Sequence, residues 1–196
     1  MLIWSAHKKI PENLHTELIT KVEENYKNRE EFFTSFNNSD KDFSKMLVPY
    51  YGNLIEEMLK KLGMWKISTY DYYLWVQMYN SETTTHKPHA HFNGWEIISF
   101  NHIIDASNNK CFYFLDNDNN KIYPDPQESG SFFAWSPWLL HGVDKVQEPN
   151  INRLIVAGNI CLRSYYHPNG KLAVESEYDT KNDIIWKKCP TTYSCW

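Results

Sequence analysis

The sequence predicts a mainly β protein of the α+β class, a sandwich or barrel of short strands with N-terminal helices packed on one sheet. Three observations carry this. Apolar residues recur at helical spacing only before about residue 65; from there to about residue 162 come runs dense in aromatic and β-branched residues; and the stretches between those runs are rich in Asn, Asp, Pro and Ser.

The first helix is expected from Pro11, where Leu14, Leu18, Val22 and Tyr26 recur every four residues with Glu12 and Glu17 near its positive end. "NNSDKD" breaks the pattern. A second helix follows, in which Leu47, Leu54, Ile55, Met58 and Leu62 share a face, Pro49 sits early where a helix tolerates it, and Gly63 ends the run.

The first strand is expected within "STYDYYLWVQMY", where Trp75, Gln77 and Tyr79 alternate with Val76 and Met78, so one face can carry a polar group into a cavity. "WEIISFNHII", "KCFYFL", "GSFFAW" and "RLIVAGNICL" are the further strands, separated by "DASNN", "DNDNN" and "YPDPQESG". After them an Asn-Gly turn ahead of an alternating run suggests a C-terminal hairpin. No linker divides the chain, so one domain is expected over 1–196: helical support over 1–65, a β core over 66–163 and a C-terminal hairpin or extension over 164–196.

The chain is long enough to bury a core without a structural metal. With 20 basic and 24 acidic residues, a formal net charge of -4 and no block of like charge, it lacks the basic face that duplex nucleic acid selects. Neither a signal-peptide pattern nor a membrane span is read, and the four cysteines include no CxxC pair. These features point to a reduced, cytoplasmic protein, although Cys189 and Cys195 are spaced to close a small loop under oxidising conditions. An apolar edge strand or the C-terminal hairpin would suit pairing with a second copy, leaving a homo-oligomer open.

"HKPHAHFNGWEIISF", residues 86–100, holds three of the eight histidines within six positions. Residues i and i+2 on a strand face the same side, so His89 and His91 can present two imidazole nitrogens to one ion. A third ligand has to come from elsewhere, and His141 in "FFAWSPWLLHGV" follows an apolar strand and a proline turn. An HxH pair alone more often lies on a solvated loop edge than at a metal. Arg153 adds weight: it opens "RLIVAGN" in phase with Ile155, Ala157 and Asn159, and a guanidinium entering an apolar barrel needs an anion, for which a carboxylate is the best bidentate partner. His86 is read as a solvated loop histidine and His102 as a packed or hydrogen-bonded one, while His7, His15 and His167 have no convergent partners.

"WVQMYNSETTTHKPHAHFNGW", "GSFFAWSPWLLHGV" and "RLIVAGN" together resemble the 2-oxoglutarate/Fe(II)-dependent oxygenase superfamily, in particular the small oxygenases common in marine phages and bacteria. The shared features are a tryptophan-led strand running into HxH, a "PSWLLH"-like turn with a distal histidine, and an "RxxxAxN" strand. They cover about residues 70–162, and the tail from about Ser164 lies outside them.

The resemblance implies a double-stranded β-helix, the jelly roll shared with cupins, and an Fe(II) enzyme that uses 2-oxoglutarate and O2 to hydroxylate an unidentified substrate. Such a protein would work in the cytoplasm, that of the host if phage-encoded. It further implies His89, His91 and His141 as iron ligands and Arg153 as partner of the distal carboxylate of 2-oxoglutarate, with Asn159, Gln77 and Tyr79 lining the cosubstrate or substrate pocket.

One departure matters. Most of the superfamily reads HxD or HxE, completing a 2-His-1-carboxylate triad, whereas this chain has His91 there. Glu96 supplies a carboxylate at a spacing that resembles the cupin metal motif, but strand parity sets it opposite His91 unless the chain turns at Asn93–Gly94. A cupin-like metalloprotein using Glu96 without 2-oxoglutarate, and a non-catalytic β-sandwich binding module, are therefore the alternatives.

Overall fold

The computed structural model describes residues 2–27, 30–36, 41–64, 69–83, 85–91, 96–162 and 185–188. In chain order the elements are β1 (Leu2–His7), α1 (Glu12–Asn25), β2 (Phe33–Thr34), α2 (Lys41–Lys61), β3 (Thr69–Tyr79), β4 (His86–His89) and β5 (Glu96–Asp105). There follow β6 (Phe112–Leu115), β7 (Lys121–Ile122), β8 (Ser131–Trp135), β9 (His141–Val143), β10 (Arg153–Leu162) and β11 (Ile185–Lys188). Two antiparallel sheets result. The larger runs β1-β8-β5-β10-β3-β11, with β2 also on β3, and the smaller runs β4-β9-β6-β7.

Parity organises both cores. Tyr70, Tyr72, Leu74, Val76 and Met78 of β3, with Leu154, Val156 and Ile160 of β10, face the helices and pack on Leu18, Val22, Leu47, Ile55 and Met58. The opposite faces send Trp75, Tyr79, Ile155, Ala157, Phe133 and Trp135 against Phe112, Phe114 and Val143 of the smaller sheet. β3, β5 and β10 thus serve a largely apolar helix layer, which also holds His102, with one parity and a mixed, aromatic interlayer with the other.

The helices form as their spacing requires. Leu14, Leu18 and Val22 line the buried face of α1. α2 ends where Gly63 takes φ +72 and the Met64 N–H reaches back to the Leu59 carbonyl, a glycine-terminated cap. Pro49 is a correction: α2 begins at Lys41, within the stretch read as a break, so Pro49 lies inside the helix and not near its start. Burial of Phe43 and Leu47 in the helix layer draws the extra turns into α2.

β1, β2, β7 and β9 were not read from the sequence. Four of the five expected runs become long or buried strands at nearly the expected bounds, and "KCFYFL" becomes β6. The Asn-Gly turn of the expected C-terminal hairpin, with Cys189 and Cys195, lies outside the described residues; β11 pairs with β3. Cys111 and Cys161 are buried, and neither is in a disulfide among the described residues. Among the described residues no helix is long and apolar enough to cross a membrane.

His102 is a packed histidine. It is fully buried, its Nδ1 accepts from the Tyr51 hydroxyl at 2.7 Å, and its Nε2 donates to the Lys8 carbonyl at 2.6 Å. His15, for which no convergent partner was expected, pairs with Asp105 at 2.9 Å.

Two outcomes follow from this packing. A Cβ on Gly158 would collide with the Phe100 ring and approach the Tyr73 carbonyl at 2.7 Å, so Gly158→Ala should destabilise by about 1–3 kcal/mol in urea melts. Burial lowers the His102 pKa from 6.5 to about 4, so the unfolded chain takes up the proton first. Its contribution is complete above about pH 6.5 and is lost as pH falls towards 4, at about 1.4 kcal/mol per pH unit. In His102→Gln, urea-derived stability should fall less steeply with acid over that window.

Candidate metal centre

The two sheets meet around a cavity of about 320 Å³. Its walls include Trp75 and Gln77 of β3, Ser99 and Asn101 of β5, Ile155 and Ala157 of β10, and the rings of His86, His89, His91 and His141.

His89, His91 and His141 offer ligand nitrogens that all lie within 4.8 Å of one another. Backbone pairing brings them there. β4 and β9 place His89 directly opposite His141, and the His91 N–H donates to the Pro137 carbonyl at 2.9 Å, tying the HxH segment to the proline turn before His141. β4 ends at His89, so His91 converges through that loop brace and not through strand alternation. Pro88 is tolerated because β4 is the outer strand of its sheet.

The Nε2 atoms of His89 and His91 stand 3.0 Å apart, the separation of two nitrogens held at right angles about 2.1 Å from one ion. His89 Nδ1 and His141 Nδ1 each donate to a backbone carbonyl, Lys87 and Leu139 respectively, both at 2.9 Å. Those bonds put the proton on Nδ1 and leave the Nε2 lone pair for an ion. Burial, reinforced by neighbouring imidazoles, lowers His91 to about 4 and His141 to about 3, so both rings are neutral donors at pH 7. Imidazole suits iron as well as zinc, copper and nickel.

Glu96 is not brought into this group. It opens β5, is buried, and accepts from the Tyr73 hydroxyl at 3.1 Å. The Asn93–Gly94 turn that would carry it to the ion lies outside the described residues.

Arg153 is 1% exposed, and neither Nη1 nor Nη2 has a hydrogen-bond partner among the described residues. Its guanidinium lies 5.8 Å from the centre of the Tyr79 ring. In the β10–β3 ladder Arg153 faces Tyr79, one same-face step beyond the Ile155/Gln77 pair that walls the cavity. Burial lowers its pKa below the usual guanidinium range, as for a cation short of compensation. Tyr79 donates to Gln77 Oε1 at 2.9 Å and lies 3.1 Å from His86 Nδ1. Asn159, the remaining expected pocket residue, is turned instead to His91, Tyr73 and Ser99.

His86 is a correction. It is half-buried and stacks between Phe32 at 4.7 Å and His89 at 4.4 Å on the cavity wall, where the β4–β9 pairing sets it opposite Val143. Tyr73, Ser99, Asn101 and Trp135 were missed. Their signal was available as polar or aromatic residues in phase with Trp75 on β3, or polar interruptions of the apolar β5 run. Asn101 Oδ1 and Trp135 Nε1 are buried at this cavity without a partner among the described residues. Phe36, 58% exposed, meets Trp75 edge-on at 5.1 Å and adds an aromatic surface to the cavity lining.

No family model matches the sequence, and no curated protein matches it. Solved structures do match. The non-heme alpha ketoglutarate dependent carbocyclase SnoK from nogalamycin biosynthesis is similar over 80% of this chain and 79% of its own, at 9% identity and a TM-score of 0.56. A Pseudomonas putida prolyl-4-hydroxylase is similar over 81% and 91%, at 9% identity and a TM-score of 0.56. A Trichoplax adhaerens prolyl hydroxylase, solved with a hypoxia inducible factor peptide fragment, is similar over 81% and 83%, at 12% identity and a TM-score of 0.57. At such identities the likeness is one of fold: the chain has the double-stranded β-helix of the 2-oxoglutarate/Fe(II) oxygenases, with helices packed on one sheet.

If the three histidines hold an ion, His141→Ala should weaken Co(II) or Fe(II) binding by more than the roughly 10–100-fold that loss of an outer partner costs. Anaerobic calorimetry measures this, and circular dichroism should show the fold retained. Unchanged affinity would remove His141 from the centre.

Proposed function

We propose that the protein is a non-haem Fe(II)- and 2-oxoglutarate-dependent oxygenase that hydroxylates a C–H bond of a further substrate. The observation that carries this reading is three converging imidazoles at a cavity and, one same-face step beyond its wall on β10, a buried guanidinium whose terminal nitrogens have no hydrogen-bond partner among the described residues. An imidazole cluster alone suits many ions and many reactions. A cation buried on the same sheet face specifies an anionic ligand as well.

The residues fit the group. His89, His91 and His141 would hold iron through Nε2; bound there with 2-oxoglutarate and O2, it supplies the oxidative chemistry that yields succinate, carbon dioxide and hydroxylated product. Three neutral donors leave the charge of the ion uncompensated, which favours a dianionic oxo acid beside it. Arg153 would receive the distal carboxylate in a bidentate pair, with the Tyr79 ring against the guanidinium and the Tyr79 hydroxyl holding Gln77. Ala157 and Ile155 form an apolar floor between the histidines and Arg153, and Phe112 and Trp135 help exclude water. Asn101 Oδ1 and Trp135 Nε1–H offer one acceptor and one donor to whatever occupies the cavity. The cupin-like alternative needs Glu96 at the ion, and Glu96 is not among the groups that converge with the three imidazoles.

The test is an anaerobic titration with Fe(II) and then 2-oxoglutarate, following the weak visible charge-transfer band of the chelate. Arg153→Met should keep metal affinity and weaken 2-oxoglutarate about 10–100-fold, the worth of lost charge-assisted hydrogen bonds. Its ligand-free melting temperature should equal or exceed that of the unsubstituted protein, because a buried unpaired cation is exchanged for an apolar chain. Equal 2-oxoglutarate affinity in the two proteins would refute the assignment of Arg153.

A further inference from the structure

We infer that Asn159 is the positioning residue of the metal centre: its side-chain oxygen receives the Nδ1 proton of His91 and so selects the tautomer in which His91 can bind an ion. This rests on the metal-centre part of the reading above and is independent of 2-oxoglutarate.

The three histidines are not held alike. His89 and His141 each place Nδ1 against a backbone carbonyl, which only accepts, so both are already in the tautomer with a free Nε2 lone pair. His91 Nδ1 instead lies 3.0 Å from Asn159 Nδ2, an atom that only donates. In that arrangement Nδ1 is the acceptor and the ring proton sits on Nε2. It is then directed at the lone pair of His89 Nε2, 3.0 Å away. A ring protonated on Nε2 cannot ligate through Nε2.

A half-turn of the Asn159 amide resolves the mismatch, because its oxygen and nitrogen exchange places with almost no change of shape. The oxygen then faces His91 Nδ1–H, and the ring loses a proton from Nε2 and gains one on Nδ1 with no change of charge. The surroundings accommodate the exchange. Ser99 Oγ, 2.6 Å from the present Oδ1, changes from donor to acceptor. The Tyr73 hydroxyl, 2.6 Å from the present Nδ2, changes from acceptor to donor, so its single proton moves from Glu96 Oε1, 3.1 Å away, to the Asn159 oxygen, and the loss of that bond to Glu96 is the cost of the exchange. Hydroxyls serve in either sense. Asn159 and Ser99 are each 1% exposed, so water does not readily substitute for either partner. Trp75 stacks on the His91 ring at 5.4 Å and 14°, which fixes its plane and leaves Asn159 to fix what Nδ1 meets.

The experiment titrates Co(II) into the full chain by calorimetry and records its visible absorption for the unsubstituted protein, Asn159→Leu, Asn159→Asp and Ser99→Ala. Asn159→Leu should weaken Co(II) about 10–100-fold and alter the absorption as His91 is misdirected. Asn159→Asp, which can only accept at neutral pH, should bind as tightly as the unsubstituted protein or more tightly. Ser99→Ala, which removes the acceptor for the turned amide, should weaken binding several-fold and serves if Asn159→Leu does not fold. Unchanged affinity in Asn159→Leu or Ser99→Ala, or an Asn159→Asp as weak as the leucine variant, would overturn the inference while leaving the metal centre standing. No Co(II) binding by the unsubstituted protein would overturn both.

Discussion

The antiparallel ladder between β10 and β3, continuous from Arg153↔Tyr79 to Leu162↔Tyr70, is the constraint on which the rest depends. Because side chains alternate along a strand, this single register decides which residues meet the helices and which meet the smaller sheet. A slip of one residue would drive Arg153 and Asn159 into the apolar helix layer and expose Val156 and Ile160 to the cavity side. Neither exchange is tolerable: a guanidinium among leucines has no anion to meet, and the interlayer would lose its polar groups.

The register also separates stability from chemistry. The helix-facing layer is built from Leu, Ile, Val, Met, Phe and Tyr side chains that interlock without a charged group. The interlayer carries costs that a core optimised for stability alone would shed: a guanidinium, an amide oxygen on Asn101 and an indole N–H on Trp135, none with a hydrogen-bond partner among the described residues. Buried polar atoms without partners are uncommon in folded proteins, and those of Asn101 and Trp135 line the cavity itself, while the Tyr72 hydroxyl is one on the helix-facing side.

Charge balance at the candidate centre follows the same logic. The nearest carboxylate in the motif region, Glu96, is taken up by Tyr73, which in turn reaches His91 through Asn159. The carboxylate thus stands at one remove from the imidazoles, and an ion among them would keep more of its charge for an anionic ligand. Neutral imidazoles, an outlying carboxylate and a buried guanidinium together favour anion binding beside the ion.

Much of this was legible in the sequence because it is local. Helical spacing around Leu14 and Leu54, alternation about Trp75 and Arg153, and the placing of His89, His91, His141 and Arg153 in distinct segments follow from periodicity and residue chemistry over short stretches. The start of α2, the inward position of His86, the partner of Glu96 and the strands β1 and β9 did not, since each depends on contacts between distant residues that no local period encodes. The sequence by itself determined which parity of β3 and of β10 could carry polar groups. Only the tertiary structure decided which of those groups meet, because pairing β4 with β9 and β10 with β3 and β5 is what converts alternation along a chain into adjacency in space.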